Sequence, residues 1–331
     1  MRKAALLYNP LSGRRRERRV ADVEAALAVL RAAGVEADAF PTRGTARAGE
    51  QARQAVTGGC DTVFACGGDG TIHDVVQGLV GTPAALAVIP LGTANSLACD
   101  LGLPVDPAAA AHAALEAQPL RIALGKIECT GLAGGRVSRY FTVAAGIGAD
   151  AYLFNKLPTR AKVRFGMLAY VAKAIQVWLT LRMVPFAVDL ADSRSEKVTE
   201  LLAVRITDFG SVLRELAPGA SLLGNDLRLV LFKTANRLSY LRYVLRGLAG
   251  ARWSVPGIEL LSSDHAACRP IETGEGTGPV YVEADGELVG RLPAEISMVP
   301  DALTILAPGD FATRRRSCES VPSSQSFSGW G

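Results

Sequence analysis

The stretch Ala65-Cys66-Gly67-Gly68-Asp69-Gly70-Thr71 constrains this chain more than any other. It stands between a short apolar run, Thr62 to Cys66, and a segment with apolar residues at 72, 75, 76, 79 and 80, which is helical spacing. A strand that turns into a helix through three glycines offers backbone without β-carbons. A phosphate can approach it closely, and the amides of a helix N-terminus favour an anion there. Asp69 needs a separate job, because a carboxylate beside phosphates repels them. It either binds Mg²⁺ or accepts backbone N–H groups as a cap. A glycine-rich turn with Asp69 as a plain cap is the simpler alternative.

The same strand-to-helix grammar repeats around this junction. Lys3 to Tyr8 reads as a strand ended by Asn9-Pro10-Leu11-Ser12-Gly13, and residues 16–33 read as a helix stopped by Gly34. A second strand over 35–40, the turn Pro41-Thr42 and a helix over 46–56 follow. Ala85 to Ile89 is a fourth strand, ended by Pro90-Leu91-Gly92-Thr93-Ala94-Asn95 before a helix from Ser96. Alternating strands and helices predict a parallel sheet covered by helices. The four turns then lie at carboxyl ends of strands, along the edge where open α/β sheets bind ligands. A phosphate-rich ligand is the simplest occupant.

Beyond residue 118 the texture changes to short strands over 121–130, 136–145, 186–192, 198–206, 227–232, 258–262, 280–284 and 295–299. A β-rich second domain, a sandwich, is expected over 119–312, after an α/β domain over 1–118. At 331 residues the chain has the length for two such cores. Two helical insertions, 159–183 and 238–249, mix arginine with apolar residues. They either pack on the sandwich or meet membrane lipid. Residues 313–331, rich in Ser and Arg, read as a disordered tail.

The net charge of +4 suits phosphate-bearing ligands or an anionic membrane and is too weak to argue for nucleic acid. Six cysteines without paired or zinc spacing imply reduced thiols and a cytoplasmic protein. No apolar run reaches the roughly 18 residues that would span a membrane, so a soluble or peripheral protein is expected.

Four features in this order resemble the lipid kinase family of diacylglycerol and sphingosine kinases, in its bacterial soluble branch. They are Asn9-Pro10-Leu11-Ser12-Gly13-Arg14, Gly67-Gly68-Asp69-Gly70-Thr71, Pro90-Leu91-Gly92-Thr93-Ala94-Asn95 and Val282-Glu283-Ala284-Asp285-Gly286-Glu287. The resemblance runs from about residue 1 to 310. The glycine loop alone also fits NAD kinases and phosphofructokinases, whose α/β plan the first domain shares; the proline-led second motif is the more specific signal. An NAD kinase-type nucleotide kinase and a non-catalytic nucleotide- or lipid-binding protein are the competing readings.

The resemblance implies an ATP- and Mg²⁺-dependent kinase acting on a lipid hydroxyl, peripheral at the inner membrane surface. It implies nucleotide contacts from Asn9, Ser12, Gly13, Arg14, Thr42, Gly67, Gly68, Asp69, Gly70, Thr71, Ile72, His73, Asp74 and Thr93, with Lys162 beside the phosphates or lipid. Asp285 is implied as the general base, with Glu287 close by. The residues themselves also read as a hairpin, because Asp-Gly is the strongest two-residue turn signal. Two departures stand out. His73-Asp74 replaces the family's usual Asn-Glu. Members with a structural metal carry Asp-Gly-Leu where this chain has Leu223-Gly224-Asn225-Asp226-Leu227, leaving Asp226 as the displaced candidate ligand.

Overall fold

β1 (Lys3–Tyr8), β2 (Glu36–Pro41), β3 (Thr62–Gly67) and β4 (Ala85–Pro90) pair in parallel in the order β4-β3-β1-β2. β1, β3 and β4 form because their apolar runs are buried on both faces, whereas β2 is an edge strand with most of its residues exposed. All six residues of β3 and of β4 are buried. Strand alternation splits the side chains between two cores. Leu6, Phe64 and Ile89 face α1 (Arg19–Ala32) and, later in the chain, the alanine-rich Pro107–Glu116 helix. Leu7, Val63 and Val88 face α2 (Ala48–Thr57), α3 (Asp69–Leu79) and α4 (Ser96–Leu101). The Pro107–Glu116 helix is α5. The helix expected from residue 16 begins as a 3-10 turn, Arg16–Arg18, and becomes α-helical only at Arg19.

This computed structural model describes residues 1–11, 13, 16–44, 47–149, 151, 183–210, 216–251, 253–271 and 278–313. The insertion expected over 159–183, with Lys162, falls outside these residues except for Met183, as do Ser12, Arg14 and the tail from 314.

The second half is antiparallel, as the alternating short strands imply. β5 (Gln118–Gly131), β6 (Arg136–Phe141), β7 (Ala144–Gly148), β8 (Phe186–Leu190), β9 (Ser195–Val198), β10 (Glu200–Val204) and β11 (Leu227–Phe232) come first. α6 (Arg237–Ala249), β12 (Ile258–Ser263), β13 (His265–Pro270), β14 (Tyr281–Ala284) and β15 (Glu287–Ala307) complete it. One layer runs β12-β11-β10-β7-β14-β15, and the other runs β6-β5-β15-β13-β8-β9. Between them Phe141, Ile147, Phe186, Leu201, Leu229, Val282 and Ile296 form the sandwich core.

Three expectations change. The strand predicted over 136–145 breaks at Thr142-Val143, because both backbone N–H groups turn to Asp285 instead of a neighbouring strand. The strand predicted over 198–206 divides at Thr199, whose hydroxyl bonds the carbonyls of Phe232 and Thr234. The strand predicted over 295–299 is the middle of a 21-residue one. β15 shifts register between Val299 and Leu303, with Asp301 at φ +47°, and its end then pairs in parallel with β4 at Thr304 and Ile305. Leu303, Ile305 and Phe311 thereby join the core beneath α3. A single strand couples the two layers, so the hairpin at its start and the glycine loop share one continuous sheet.

Candidate active site

Asp69 ties the two glycine-containing loops together. Gly68 is extended at the helix start and α3 begins at Asp69. The Asp69 carboxylate accepts the backbone N–H of Ser96 at 2.7 Å and of Asn95 at 3.0 Å. Asn95 adopts a left-handed conformation, φ +53°, immediately before α4, so Asp69 caps a helix that its own chain segment does not contain. Burial pushes its carboxyl pKa upward, and the Ser96 and Asn95 N–H groups draw it back. Capping is thus the work Asp69 does in this geometry.

The neighbouring turns close on the same spot. Gly92 lies so near Gly68 that a β-carbon on it would strike the Gly68 backbone. The Leu91 N–H donates to Gly67 O at 2.8 Å, and the buried Arg19 guanidinium donates to Leu91 O at 3.0 Å. Gly13, at φ +70°, packs against that same Leu91 carbonyl, where any side chain would collide. Asn9 donates through its backbone to Cys66 O, and Thr42 to Tyr8 O. Thr93 is exposed at the rim. The structure therefore brings together Asn9, Gly13, Thr42, the 67–74 segment and Thr93.

The other wall is the β14–β15 hairpin. Asp285 and Gly286 both have positive φ, +49° and +84°, as a two-residue turn of this type demands. Ala284 pairs with Glu287 across it. The Asp285 side chain is only 2 % exposed. One oxygen accepts the N–H of Val143 at 2.8 Å and of Ala144 at 3.2 Å. The other accepts the Thr142 N–H at 3.0 Å and its hydroxyl at 3.4 Å, and lies 3.3 Å from His73 Nδ1. A carboxylate held this way anchors the turn to residues 142–144.

His73 is buried on α3, beneath a bridge in which Gln77 bonds both backbone groups of Tyr140 on β6. Burial alone would lower its pKa. The hydrogen bond and charge of Asp285 outweigh that, and the net shift is upward.

Glu287, two residues beyond Asp285, is exposed as a residue, yet its carboxyl end leans on the glycine loop. A β-carbon on Gly70 would lie 2.7 Å from Glu287 Oε1. Shielding raises its pKa; His73 pulls the other way, and Asp74 adds to the rise. Of the two acids read from the Asp-Gly-Glu turn, Glu287 is the one at the mouth of the loop.

Asp226 is exposed, and among the described residues no group of three or more His, Cys, Asp or Glu could hold a metal ion. The sequence reading missed the 142–144 N–H groups and the buried Arg19 and Arg205. Backbone donors carry no sequence signal. A lone arginine inside the apolar run Leu201-Leu202-Ala203-Val204-Arg205-Ile206 does.

Two family models match the chain: the diacylglycerol kinase catalytic domain over residues 3–127, and the YegS C-terminal NAD kinase beta sandwich-like domain over residues 142–307. A diacylglycerol kinase of Mycobacterium tuberculosis is 30% identical over 314 residues, covering 92% of this chain and 95% of that protein. One from Bacillus subtilis is 28% identical over 316 residues, covering 94% and 98%. Among solved structures, a diacylglycerol kinase from Bacillus anthracis superposes with a TM-score of 0.68 at 17% identity, covering 93% of this chain and 98% of that one. Yeast NADH kinase complexed with NADH gives 0.56 at 12% identity, covering 99% and 90%. The last two likenesses speak for the fold: a parallel α/β layer followed by a β-sandwich.

Proposed function

The chain belongs to the diacylglycerol kinase family, and we propose that it transfers a phosphoryl group from ATP to a hydroxyl of diacylglycerol or a related lipid, with Glu287 as proton acceptor. The observation that supports this reading is the approach of Glu287 Oε1 to the glycine loop, 2.7 Å from where a β-carbon on Gly70 would stand. It sets one ionisable oxygen beside the α3 N-terminus, where phosphates are favoured.

On this reading residues 1–118 hold the nucleotide, residues 119–312 the lipid, and 313–331 form a tail. Asn9, Ser12, Gly13, Arg14, Thr42, the segment from Gly67 to Asp74, and Thr93 line the nucleotide. Lys162 serves the phosphates or lipid. The acceptor oxygen forms a bond to the γ-phosphorus as the bond to the bridging oxygen breaks and ADP departs. The hydroxyl proton passes to Glu287. A base with a pKa raised toward the working pH suits that transfer, and shielding moves Glu287 in that direction. Asp285 and His73 position the turn that carries it.

Phosphoryl transfer is positioning plus charge neutralisation. A magnesium ion bound with the nucleotide would supply part of the latter, held mainly by the phosphates as is usual for such sites.

A lipid acceptor also requires contact with a membrane, and α6 supplies a face for it. Leu238, Leu241, Val244, Leu245 and Leu248 are 43–49% exposed, whereas Tyr240, Tyr243 and Arg246 turn inward, with the two tyrosine rings against Phe232. Arg237 and Arg242 are exposed on the same helix, and residues 237–253 contain no acid. An apolar face with basic flanks fits an anionic lipid surface. No helix among the described residues is long and apolar enough to cross a membrane. We place the protein in the cytoplasm, peripheral at the inner membrane surface.

The test is a transfer assay with the full chain, labelled ATP and Mg²⁺ against diacylglycerol, monoacylglycerol, sphingoid base, ceramide and NAD. A phosphorylated lipid is expected. Label on NAD alone would move the protein to the nucleotide kinases that share its fold, and ATP binding without transfer would make it a non-catalytic binder.

A further inference from the structure

Arg205 directly follows β10 in an otherwise apolar run, and no part of it reaches solvent. A charge in that position must be satisfied internally. Its Nη1 donates to the carbonyls of Gly224 at 2.9 Å and Asp226 at 2.8 Å. Its Nη2 donates to those of Leu222 and Ala123, each at 3.0 Å. Four backbone oxygens, three from the short 222–226 loop and one from β5, thus converge on one positive centre. Inward-turned loop carbonyls around a cation are what a hard metal ion is given by proteins. A guanidinium meets the same need with fixed, planar donors.

This is the loop in which metal-bearing relatives were expected to show Asp-Gly-Leu. The residues present do not fit a metal ion there. The Asp226 side chain is exposed, its carbonyl already accepts from Arg205, and no metal-holding cluster exists among the described residues. A divalent ion at the same oxygens would also be repelled by the arginine, which cannot leave.

We infer that Arg205 is a tethered replacement for a structural cation, so that the 222–226 loop is held without a divalent ion. Burial lowers its pKa only to about 10, which leaves it charged at neutral pH. The support reaches the active site through the backbone. The Arg205 N–H donates to Val143 O at 2.9 Å, and Val143 in turn donates to Asp285. Two residues further on, the N–H groups of Thr207 and Asp208 both donate to Asp100 of α4, the helix that Asp69 caps.

The test uses thermal melts of the full chain without nucleotide, and it is independent of which acceptor is phosphorylated. The wild-type melting temperature is expected to stay within about 1 °C on adding EDTA, Mg²⁺ or Ca²⁺. A fall on chelation that one of these ions restores would overturn the inference. Arg205→Met strands several buried acceptors and should melt on the order of 10 °C lower, or fail to fold, with Arg205→Lys between the two. A Met variant that melts like the wild type also overturns it. Arg205→Ala should regain several degrees in millimolar guanidinium chloride relative to equal NaCl, a response the wild type lacks. Equal melting in the two salts removes the cation-cage reading.

Discussion

Asp285→Asn and Glu287→Gln each remove one charge with little change of shape, yet they should fail in opposite ways. In the wild type, Asp285 receives Val143 and Ala144 N–H groups on one oxygen. The other faces the Thr142 N–H, the Thr142 hydroxyl and His73. An asparagine must point its NH₂ at one of these sets. The hydroxyl and the imidazole can turn into acceptors, but the Thr142 N–H cannot, so one buried donor loses its partner at a cost of about 1–3 kcal/mol. The remaining bonds change from charged to neutral acceptors, which adds about 1 kcal/mol. The total of roughly 2–4 kcal/mol corresponds to a melting temperature lower by about 5–10 °C. Activity falls with it, because the same turn carries Glu287. Glu287→Gln acts on an exposed residue and should melt within about 1 °C of wild type, while kcat drops by roughly 10²–10⁴ and KM for ATP holds within a few-fold. Differential scanning fluorimetry and a labelled-ATP assay in lipid mixed micelles separate the two. If Asp285→Asn melted like wild type and lost only kcat, or if Glu287→Gln kept kcat, the assignment of roles would be wrong.

Three further outcomes follow from the same geometry. Gly70→Ala gains roughly 0.5–1 kcal/mol of helix propensity, and its new methyl displaces Glu287 Oε1, which lies 2.7 Å from that point. Melting should hold or rise while kcat falls by about tenfold or more; unchanged turnover would detach Glu287 from the chemistry. The His73 pKa is raised by Asp285 against the effect of burial. The pair's stability is therefore fully present below the unfolded value of about 6.5 and is lost as pH rises through the higher folded value. Melting of wild type relative to His73→Gln across this range should show an advantage that shrinks with pH, and a constant difference would contradict the pairing. Replacing the exposed Leu241 and Leu245 by Glu should leave melting intact and weaken co-sedimentation with anionic vesicles by about a hundredfold; retained binding would remove α6 from the membrane contact.

The parallel layer was legible because each of its signals is local. Apolar runs of the right length end in Gly, Pro or Asn, and β1 to β4 fall within a residue or two of where those runs lie. β15 was legible only in part, because Pro293, Pro300 and Asp301 look like breaks. The strand survives them through register shifts at 291–294 and 299–303 against β5. β13 was missed because His265-Ala266-Ala267-Cys268 carries little β-branched or aromatic character, and its place is set by β8 and β15 on either side.

The roles of the acids were the least legible, for a reason that lies outside the acids themselves. Asp69, Asp100 and Asp285 each accept N–H groups from a remote stretch of backbone: residues 95–96, 207–208 and 142–144 respectively. All of these partners are distant in sequence, the nearest being 26 residues away. A carboxylate whose oxygens are taken up by backbone N–H donors holds distant segments together, and nothing in its own motif announces that work. Glu287 sits on the strand side of the turn, beyond the reach of the N–H groups of residues 142–144 that hold Asp285. Its carboxyl end lies beside Gly70, which has no side chain, with the charges of His73 and Asp74 acting on it. On the proposed reading, the choice between two acids two positions apart rests on where the backbone donors of residues 142–144 fall, and that is a property of the folded sheet.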